Sequence, residues 1–143
     1  MKIAVACDHG GFALKEEIKK YLEAEGLGVI DLGTHSEESV DYPAYGKSCA
    51  EAVSSGAADR GVVCCSTGIG ISIAANKVRG IRCALCTDTN MAEMTRKHND
   101  ANMLALGGKT TDTGVALEIT KTWLYTEFEG GRHRRRVDML NEM

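Results

Sequence analysis

The fold is decided by the stretch Gly61-Val62-Val63-Cys64-Cys65-Ser66-Thr67-Gly68-Ile69-Gly70-Ile71-Ser72-Ile73. A short apolar run rich in β-branched residues ends at Cys65, and a small, glycine-rich turn leads into another periodic apolar segment. This order predicts a buried strand, a tight loop and the N-terminus of a helix. The loop amides and the positive end of the helix dipole would favour an anion, and they would favour a thiolate at Cys65 for the same reason. The stretch therefore predicts an anion-binding loop that begins with a candidate base or nucleophile.

Strand-like runs and helical periods alternate along the rest of the chain. Strands are predicted over residues 2–7, 28–32, 61–65, 82–86 and 103–106. Apolar residues at helical spacing predict three helices between them, and residues 89–100 fit a shorter, more polar helix. In the first helix, Lys15 is expected outside the apolar stripe, which consists of Leu14, Ile18, Tyr21 and Leu22. The alternation predicts a mostly parallel sheet covered on both faces, and hence a single α/β/α three-layer sandwich domain over residues 1–143.

Composition and charge exclude several classes of protein. A length of 143 residues suits one domain, and a net charge of −3 with a pI of about 5.8 argues against a general nucleic-acid or membrane binder. No apolar run is long enough for a membrane helix, and the first one is too short for a secretory signal. The six cysteines are therefore predicted to be reduced thiols in a cytoplasmic protein. Cys83 and Cys86 are expected to fill the core from opposite faces of a strand.

Polar residues that follow the predicted strands are the candidates for a binding site. In open parallel sheets, ligands bind beyond the carboxyl ends of the strands. Asp8 and His9 follow the first strand, the loop after Cys65 follows the third, and Lys109 follows the fifth. If the first and third strands are neighbours, their loops open into one crevice. Cys64, one residue earlier, is expected to be a buried core thiol.

The remaining histidines differ in their expected surroundings. His98, just before the fifth strand, is interpreted as lying at the same ligand-binding edge, whereas His35 and His133 are expected to be solvated. No group of residues has the spacing of a metal site, so no metal is predicted. Ile73 occupies the position where a third glycine should follow Gly68-Ile69-Gly70, which argues against a dinucleotide fingerprint.

The C-terminal tail, about residues 127–143, contains the one strong basic run. A nucleic-acid patch is the generic interpretation, but the chain is acidic and only 5% of its residues are aromatic. If the tail is helical, Arg132 and Arg136 lie one turn apart on one face and can clamp a small phosphate dianion. Arg134 and Arg135 would then face solvent or a subunit contact.

Together these motifs resemble the ribose-5-phosphate isomerase B family, whose relatives include allose-6-phosphate and galactose-6-phosphate isomerases. The resemblance runs essentially end to end. It is carried by Cys7-Asp8-His9-Gly10-Gly11, Asp41-Tyr42-Pro43, Cys65-Ser66-Thr67-Gly68-Ile69-Gly70-Ile71-Ser72, Arg96-Lys97-His98-Asn99-Asp100, and Glu129-Gly130-Gly131-Arg132-His133 with Arg136. Ser66 stands where many members have glycine, and Lys109 stands where an arginine is common. Because Cys65 is present, the chain resembles the branch of the family that uses a cysteine as the base rather than the branch that uses a glutamate.

The resemblance implies a Rossmann-like sheet of five parallel strands in the order 2-1-3-5-4, and a homodimer with active sites shared between subunits. It implies no metal and no organic cofactor. The implied reaction interconverts ribose 5-phosphate and ribulose 5-phosphate through an enediolate, with Cys65 as the base and His98 opening the sugar ring with help from Thr67. The implied substrate-binding residues are Asp8, His9, Tyr42, Ser66, Gly68, Ile69, Gly70, Asn99, Lys109, Arg132 and Arg136.

Other functions stay open at the level of sequence. A related isomerase could act on a hexose 6-phosphate, such as that of allose or galactose, or on free aldoses. A non-catalytic sensor of phosphate or nucleotide would keep the glycine loop and the arginines without needing Cys65. A thiol redox protein would need an exposed Cys65 with a resolving cysteine, yet Cys64 should face the other way in a strand.

Overall fold

The computed structural model describes residues 1–143 and has the predicted alternation of strands and helices. The five strands are β1 (Lys2–Cys7), β2 (Gly28–Asp31), β3 (Arg60–Cys65), β4 (Cys83–Leu85) and β5 (Met103–Gly107). The six α-helices are α1 (Phe12–Ala24), α2 (Tyr42–Ser54), α3 (Ile69–Asn76), α4 (Thr89–Asn99), α5 (Thr113–Tyr125) and α6 (Arg132–Asn141). None of these helices has both the length and the apolar character needed to cross a bilayer.

The strands form one parallel sheet in the order β2-β1-β3-β5-β4, which confirms the predicted order. β1 and β3 are neighbours, and Cys7 at the end of β1 pairs with Cys64 near the end of β3. The loops that follow these two strands therefore leave the sheet side by side. This is the geometry in which an open α/β sheet forms its binding crevice.

Helices cover both faces of the sheet, so the core has two halves. One half of 16 buried residues lies between the sheet and α1, α4 and α5, and it contains Trp123 and Cys64. The other half of 13 buried residues lies between the sheet and α2 and α3, and it contains Ile71 and Cys65. Neighbouring residues of a strand alternate between the two faces, so the prediction that Cys64 and Cys65 point in opposite directions is confirmed.

Lys15 departs from its predicted position, because it is buried with only 1% of its surface exposed. Its Nζ lies 2.9 Å and 3.0 Å from the two carboxylate oxygens of Asp31, at the end of β2, and it donates to the Thr34 carbonyl at 2.8 Å. The expectation that Lys15 lies outside the buried stripe was wrong, because its long stem can pack beside the apolar residues while the ammonium reaches a carboxylate.

The same ion pair changes how both groups titrate. Burial alone would raise the pKa of Asp31, but the Gly33 N–H and the ammonium groups of Lys15 and Lys19 outweigh it and hold the pKa below its ordinary value. Burial opposes the charge on Lys15 as well, yet the carboxylates of Asp31 and Glu16 raise its pKa. Both residues are therefore charged across the neutral pH range, and they tie α1 to the end of β2.

Candidate active site

The loop between β3 and α3 wraps tightly around the Cys65 thiol. Cys65 is the last residue of β3 and is only 5% exposed, and the Gly68 N–H donates a hydrogen bond to its Sγ at 3.1 Å. Gly68 has a left-handed backbone with φ of 79°. A Cβ at this position would lie 2.7 Å from Leu85 Cδ1 and 2.8 Å from the Leu106 carbonyl carbon, so no side chain fits here. A hydrogen bond from an amide N–H stabilises a thiolate more than a thiol.

Unpaired amides follow the thiol along the loop. The N–H groups of Ser66, Thr67 and Gly70 donate to no acceptor within the chain, while the Ile69 N–H is satisfied by Thr67 Oγ1 at 3.2 Å. These amides sit at the N-terminus of α3, where the helix dipole adds positive potential. The loop thus has the donor geometry of an oxyanion cradle next to a thiol, as its sequence predicts.

The loop after β1 lies directly against this cradle. A Cβ on Gly10 would lie 2.1 Å from Ser66 Oγ, and one on Gly11 would lie 2.3 Å from the Cys64 carbonyl oxygen. Only glycine allows two backbones to approach this closely. The predicted crevice between the first and third strands is therefore present.

Asp8 and His9 occupy the crevice in different ways. Asp8 is buried, and its carboxylate accepts the Gly11 N–H at 3.1 Å. His9 is exposed, and its Nδ1 accepts the N–H of Val40 at 3.2 Å. Because Nδ1 is an acceptor, the proton of the neutral imidazole is on Nε2, where it can be donated to a ligand.

A cavity of about 300 Å³ opens beside these residues. It joins the ends of three strands, because Lys109 follows β5 and its N–H donates to the Ser66 carbonyl at 2.9 Å. Glu37, from the loop after β2, also lines the cavity, although no sequence motif marks it. The lining residues are His9, Gly10, Ala13, Leu14, Glu37, Ser66, Gly108 and Lys109.

Tyr42 stands at the start of α2 and is 40% exposed. A Cβ on Gly70 would lie 2.6 Å from its aromatic ring, so the ring packs directly on the N-terminus of α3. Tyr42 therefore borders the amide cradle, next to the exposed Ile69.

His98 does not lie at this edge of the sheet, and its interpretation as a residue of the ligand-binding edge was wrong. It is on the last turn of α4, which runs from the carboxyl end of β4 back to the amino end of β5. An 11-residue helix is about 16 Å long, so His98 and Asn99 lie at the opposite edge from Cys65. α4 runs opposite to the strands, so its last turn, just before β5 begins, lies at the amino edge of the sheet.

Arg132 and Arg136 lie on the helix that packs against α4, and they form a second group with His98 and Asn99. Both are exposed on α6, which is helical as predicted and packs against α4. Arg134 is turned elsewhere, with its guanidinium 4.7 Å from the ring centroid of Phe128. Of these residues, only Asn99 lines a cavity of about 570 Å³, which is larger than the cavity lined by His9, Ser66 and Lys109.

His133 is buried rather than solvated, so that expectation was also wrong. It is 7% exposed, and its ring stacks on that of His98 with centroids 4.3 Å apart and planes 15° apart. Burial lowers the pKa of His133, and the charges of His98 and Arg132 lower it further. Its Nε2 lies 3.6 Å from a carboxylate oxygen of Glu129. Sequence reasoning missed this group because only the packing of α6 on α4 brings its members together.

Over nearly its whole length, the chain is similar to proteins with a named activity or a solved structure. The family model described as Ribose/Galactose Isomerase matches residues 3–140. The chain is 48% identical to the ribose-5-phosphate isomerase B of Escherichia coli, covering 97% of this chain and 93% of that protein. The structure of the Clostridium thermocellum ribose-5-phosphate isomerase B superposes with a TM-score of 0.98 at 58% identity, covering 99% of this chain and 96% of the other.

A third relative was solved with a sugar phosphate. This is the Mycoplasma genitalium ribose-5-phosphate isomerase B with bound ribulose 5-phosphate, with a TM-score of 0.95 at 35% identity, covering 99% of this chain and 94% of the other. Both the sequence motifs and the fold therefore agree with one assignment. The chain belongs to the ribose/galactose isomerase family.

Proposed function

We propose that this protein interconverts ribose 5-phosphate and ribulose 5-phosphate through an enediolate, with Cys65 as the base. The observation that carries the proposal is the Cys65 thiol, which accepts a hydrogen bond from Gly68 and lies beside unpaired loop amides at the carboxyl edge of the sheet. The activity named for the Escherichia coli relative and the ligand of the Mycoplasma genitalium structure support the choice of substrate.

In the proposed mechanism, His98 moves a proton to the ring oxygen of the furanose to open it, and Thr67 assists through its hydroxyl. The Cys65 thiolate then removes the C2 proton of the open aldose and becomes a thiol. The resulting enediolate oxygen is stabilised by amides of the loop from Ser66 to Gly70. The N–H groups of Ser66, Thr67 and Gly70 are unpaired, and the Ile69 N–H, at the start of α3, can join them when it leaves Thr67 Oγ1. The proton of the 2-hydroxyl passes to the C1 oxygen, Cys65 returns its own proton to C1, and the ketose is formed without net gain or loss of protons.

The remaining candidate residues would hold the two ends of the substrate. Asp8, His9 and Asn99 offer hydrogen bonds to hydroxyls or to the phosphate end, and Tyr42 lines the pocket. Lys109, Arg132 and Arg136 supply three positive charges for the phosphate dianion.

We further propose that the working unit is a homodimer with shared sites. Cys65 and Lys109 lie at one edge of the sheet and His98 and Arg132 at the other, so a site that uses all four needs two chains. Ile69 and Ile73 of α3 are 52% and 56% exposed beside the cradle, and they would supply apolar contact to a second copy. We also propose a cytoplasmic location, which the six free cysteines support.

The alternatives differ in what they require of the thiol. A redox protein is disfavoured because Cys65 is only 5% exposed and Cys64 points to the other face of the sheet. A non-catalytic phosphate sensor would bind ligand without turning it over. An isomerase for hexose 6-phosphates or free aldoses would share the chemistry and differ only in the sugar.

The test is an assay of ketose formation from a panel of aldose phosphates and free aldoses, with no added metal. We expect ribose 5-phosphate to be the best substrate, and Cys65→Ala to lose about 10²–10⁴-fold in kcat while still binding substrate. Cys64→Ala is the matched control, because its thiol is buried on the opposite face; we expect a loss of stability with nearly normal turnover. Near-normal turnover by Cys65→Ala would falsify the assignment of the base, and binding without turnover by the wild type would favour the sensor.

A further inference from the structure

We propose that His98, Glu129 and His133, the His–Glu–His cluster, bind a zinc ion or a similar divalent cation that inhibits the enzyme. Each residue offers one ligand atom, and the three atoms all lie within 4.8 Å of one another. Two imidazoles and one carboxylate with an open fourth position form a ligand set that zinc uses. Inhibition follows because the cation occupies His98, and only this consequence rests on the proposed function.

The backbone holds the three residues together without a metal. The Glu129 N–H donates to the Lys97 carbonyl at 3.2 Å, and the Arg96 Nε donates to the Thr126 carbonyl at 3.1 Å. These two bonds fix the start of the tail to the last turns of α4, which carry His98. The ligands would therefore need only side-chain adjustment, which lowers the entropic cost of binding.

The side-chain geometry is close to what a tetrahedral ion needs. Ligand atoms about 2.0–2.1 Å from a zinc ion lie about 3.3 Å from one another. Glu129 Oε2 and His133 Nε2 are 3.6 Å apart, with no hydrogen bond between them. The two imidazole rings stack face to face, so a rotation of the half-buried His98 ring is needed to direct its nitrogen toward the same point.

The charges around the cluster decide what completes the site. Glu129 supplies one negative charge, whereas Arg132 and Arg136 oppose a bare dication. We therefore expect an anion, such as chloride or hydroxide, as the fourth ligand.

Calorimetric titration of zinc chloride into chelator-treated protein tests the binding. We expect one zinc per chain in the wild type, and binding at least about tenfold weaker in Glu129→Gln, since even outer partners of a metal ligand matter that much. Glu127→Gln is the matched control, because Glu127 is another exposed carboxylate of the same tail and lies outside the cluster. Cys65→Ser should bind zinc like the wild type, and cobalt-loaded protein should lack a thiolate charge-transfer band.

The activity measurements separate this proposal from the proposed function. Zinc should inhibit the wild type and Glu127→Gln, EDTA should reverse the inhibition, and Glu129→Gln should be active but resistant. Absence of zinc binding, equal binding by Glu129→Gln, or loss of binding in Cys65→Ser would overturn the site. Zinc binding as expected in a protein that isomerises no sugar phosphate would leave the site standing and refute the proposed function.

Discussion

Replacing Gly68 by alanine should damage both the stability of the protein and the setting of the thiol. The backbone at this position has φ of 79°, and a side chain in the left-handed region costs about 1–2 kcal/mol. The added methyl would also lie 2.8 Å from the Leu106 carbonyl carbon, within the backbone of β5, which cannot move aside like a side-chain tip. Overpacking of this kind costs about 1–3 kcal/mol. The expected loss in the free energy of unfolding is therefore about 2–5 kcal/mol.

The chain offers a control that separates the two costs. Gly26 has φ of 77°, and a Cβ there would meet nothing within 4 Å. Gly26→Ala should lose only the conformational part, about 1–2 kcal/mol. The difference between the two variants in urea denaturation then measures the clash between the loop and β5.

Activity gives the second half of the test. A strained loop moves the Gly68 N–H away from Cys65 Sγ, and a hydrogen bond to a charged group contributes about 1.5–3 kcal/mol. We expect kcat/KM to fall roughly tenfold to a hundredfold in Gly68→Ala, measured below its unfolding transition, and to stay near wild type in Gly26→Ala. Equal stability and equal activity of the two variants would refute the idea that close packing on β5 sets the geometry of the cradle.

Three further predictions concern the tail, the subunits and the buried ion pair. Arg136→Ala should lower kcat/KM for phosphorylated substrates about tenfold to a hundredfold, and it should do so far more than for free sugars; Arg135→Ala is the control, and equal effects of the two would argue against a phosphate clamp. A mixture of the inactive Cys65→Ala variant and the impaired Arg136→Ala variant should, after subunit exchange, gain activity beyond the sum of the two separate variants, whereas no gain would argue against shared sites. The ion pair of Lys15 and Asp31 should stabilise the fold between about pH 3.8 and pH 10.5, the ordinary pKa values of the two groups. That contribution should be lost as the pH falls through the lowered pKa of Asp31, or as it rises through the raised pKa of Lys15. Lys15→Met should cost about 3 kcal/mol in urea denaturation at pH 7, and an unchanged pH profile of stability in that variant would contradict the pairing.

Local patterns were enough to predict the strands and the glycine-rich loop after Cys65. β-Branched runs followed by small residues define the strand ends, and consecutive residues of a strand must alternate between faces, which separates Cys64 from Cys65. The Cys65 loop could be found because its thiol, amides and helix start are adjacent in the chain. The neighbouring order of β1 and β3 came from the resemblance, since no local pattern determines which parallel strands pair.

The failures share one physical cause, which is dependence on partners distant in sequence. Lys15 is buried because Asp31 ends a strand next to it, and polarity alone cannot reveal such a partner. His133 is buried because α6 packs on α4, so its stacking with His98 depends on two helices. Glu37 reaches the cavity through the path of the loop after β2, which no motif marks.

The position of His98 carries the strongest consequence for how the enzyme works. In a βαβ unit the helix returns the chain from the carboxyl edge to the amino edge, so a residue on the last turn of α4 cannot approach a loop that follows β3 in the same chain. The separation is about the 16 Å length of α4, which is more than any side chain spans. If His98 opens the ring and Cys65 transfers the proton, as proposed, the two residues can act on one sugar only when two chains place the carboxyl edge of one sheet next to the amino edge of the other. Activity should then depend on association even though each chain has a complete core of its own, so dilution below the dissociation constant would abolish turnover before it unfolds the protein.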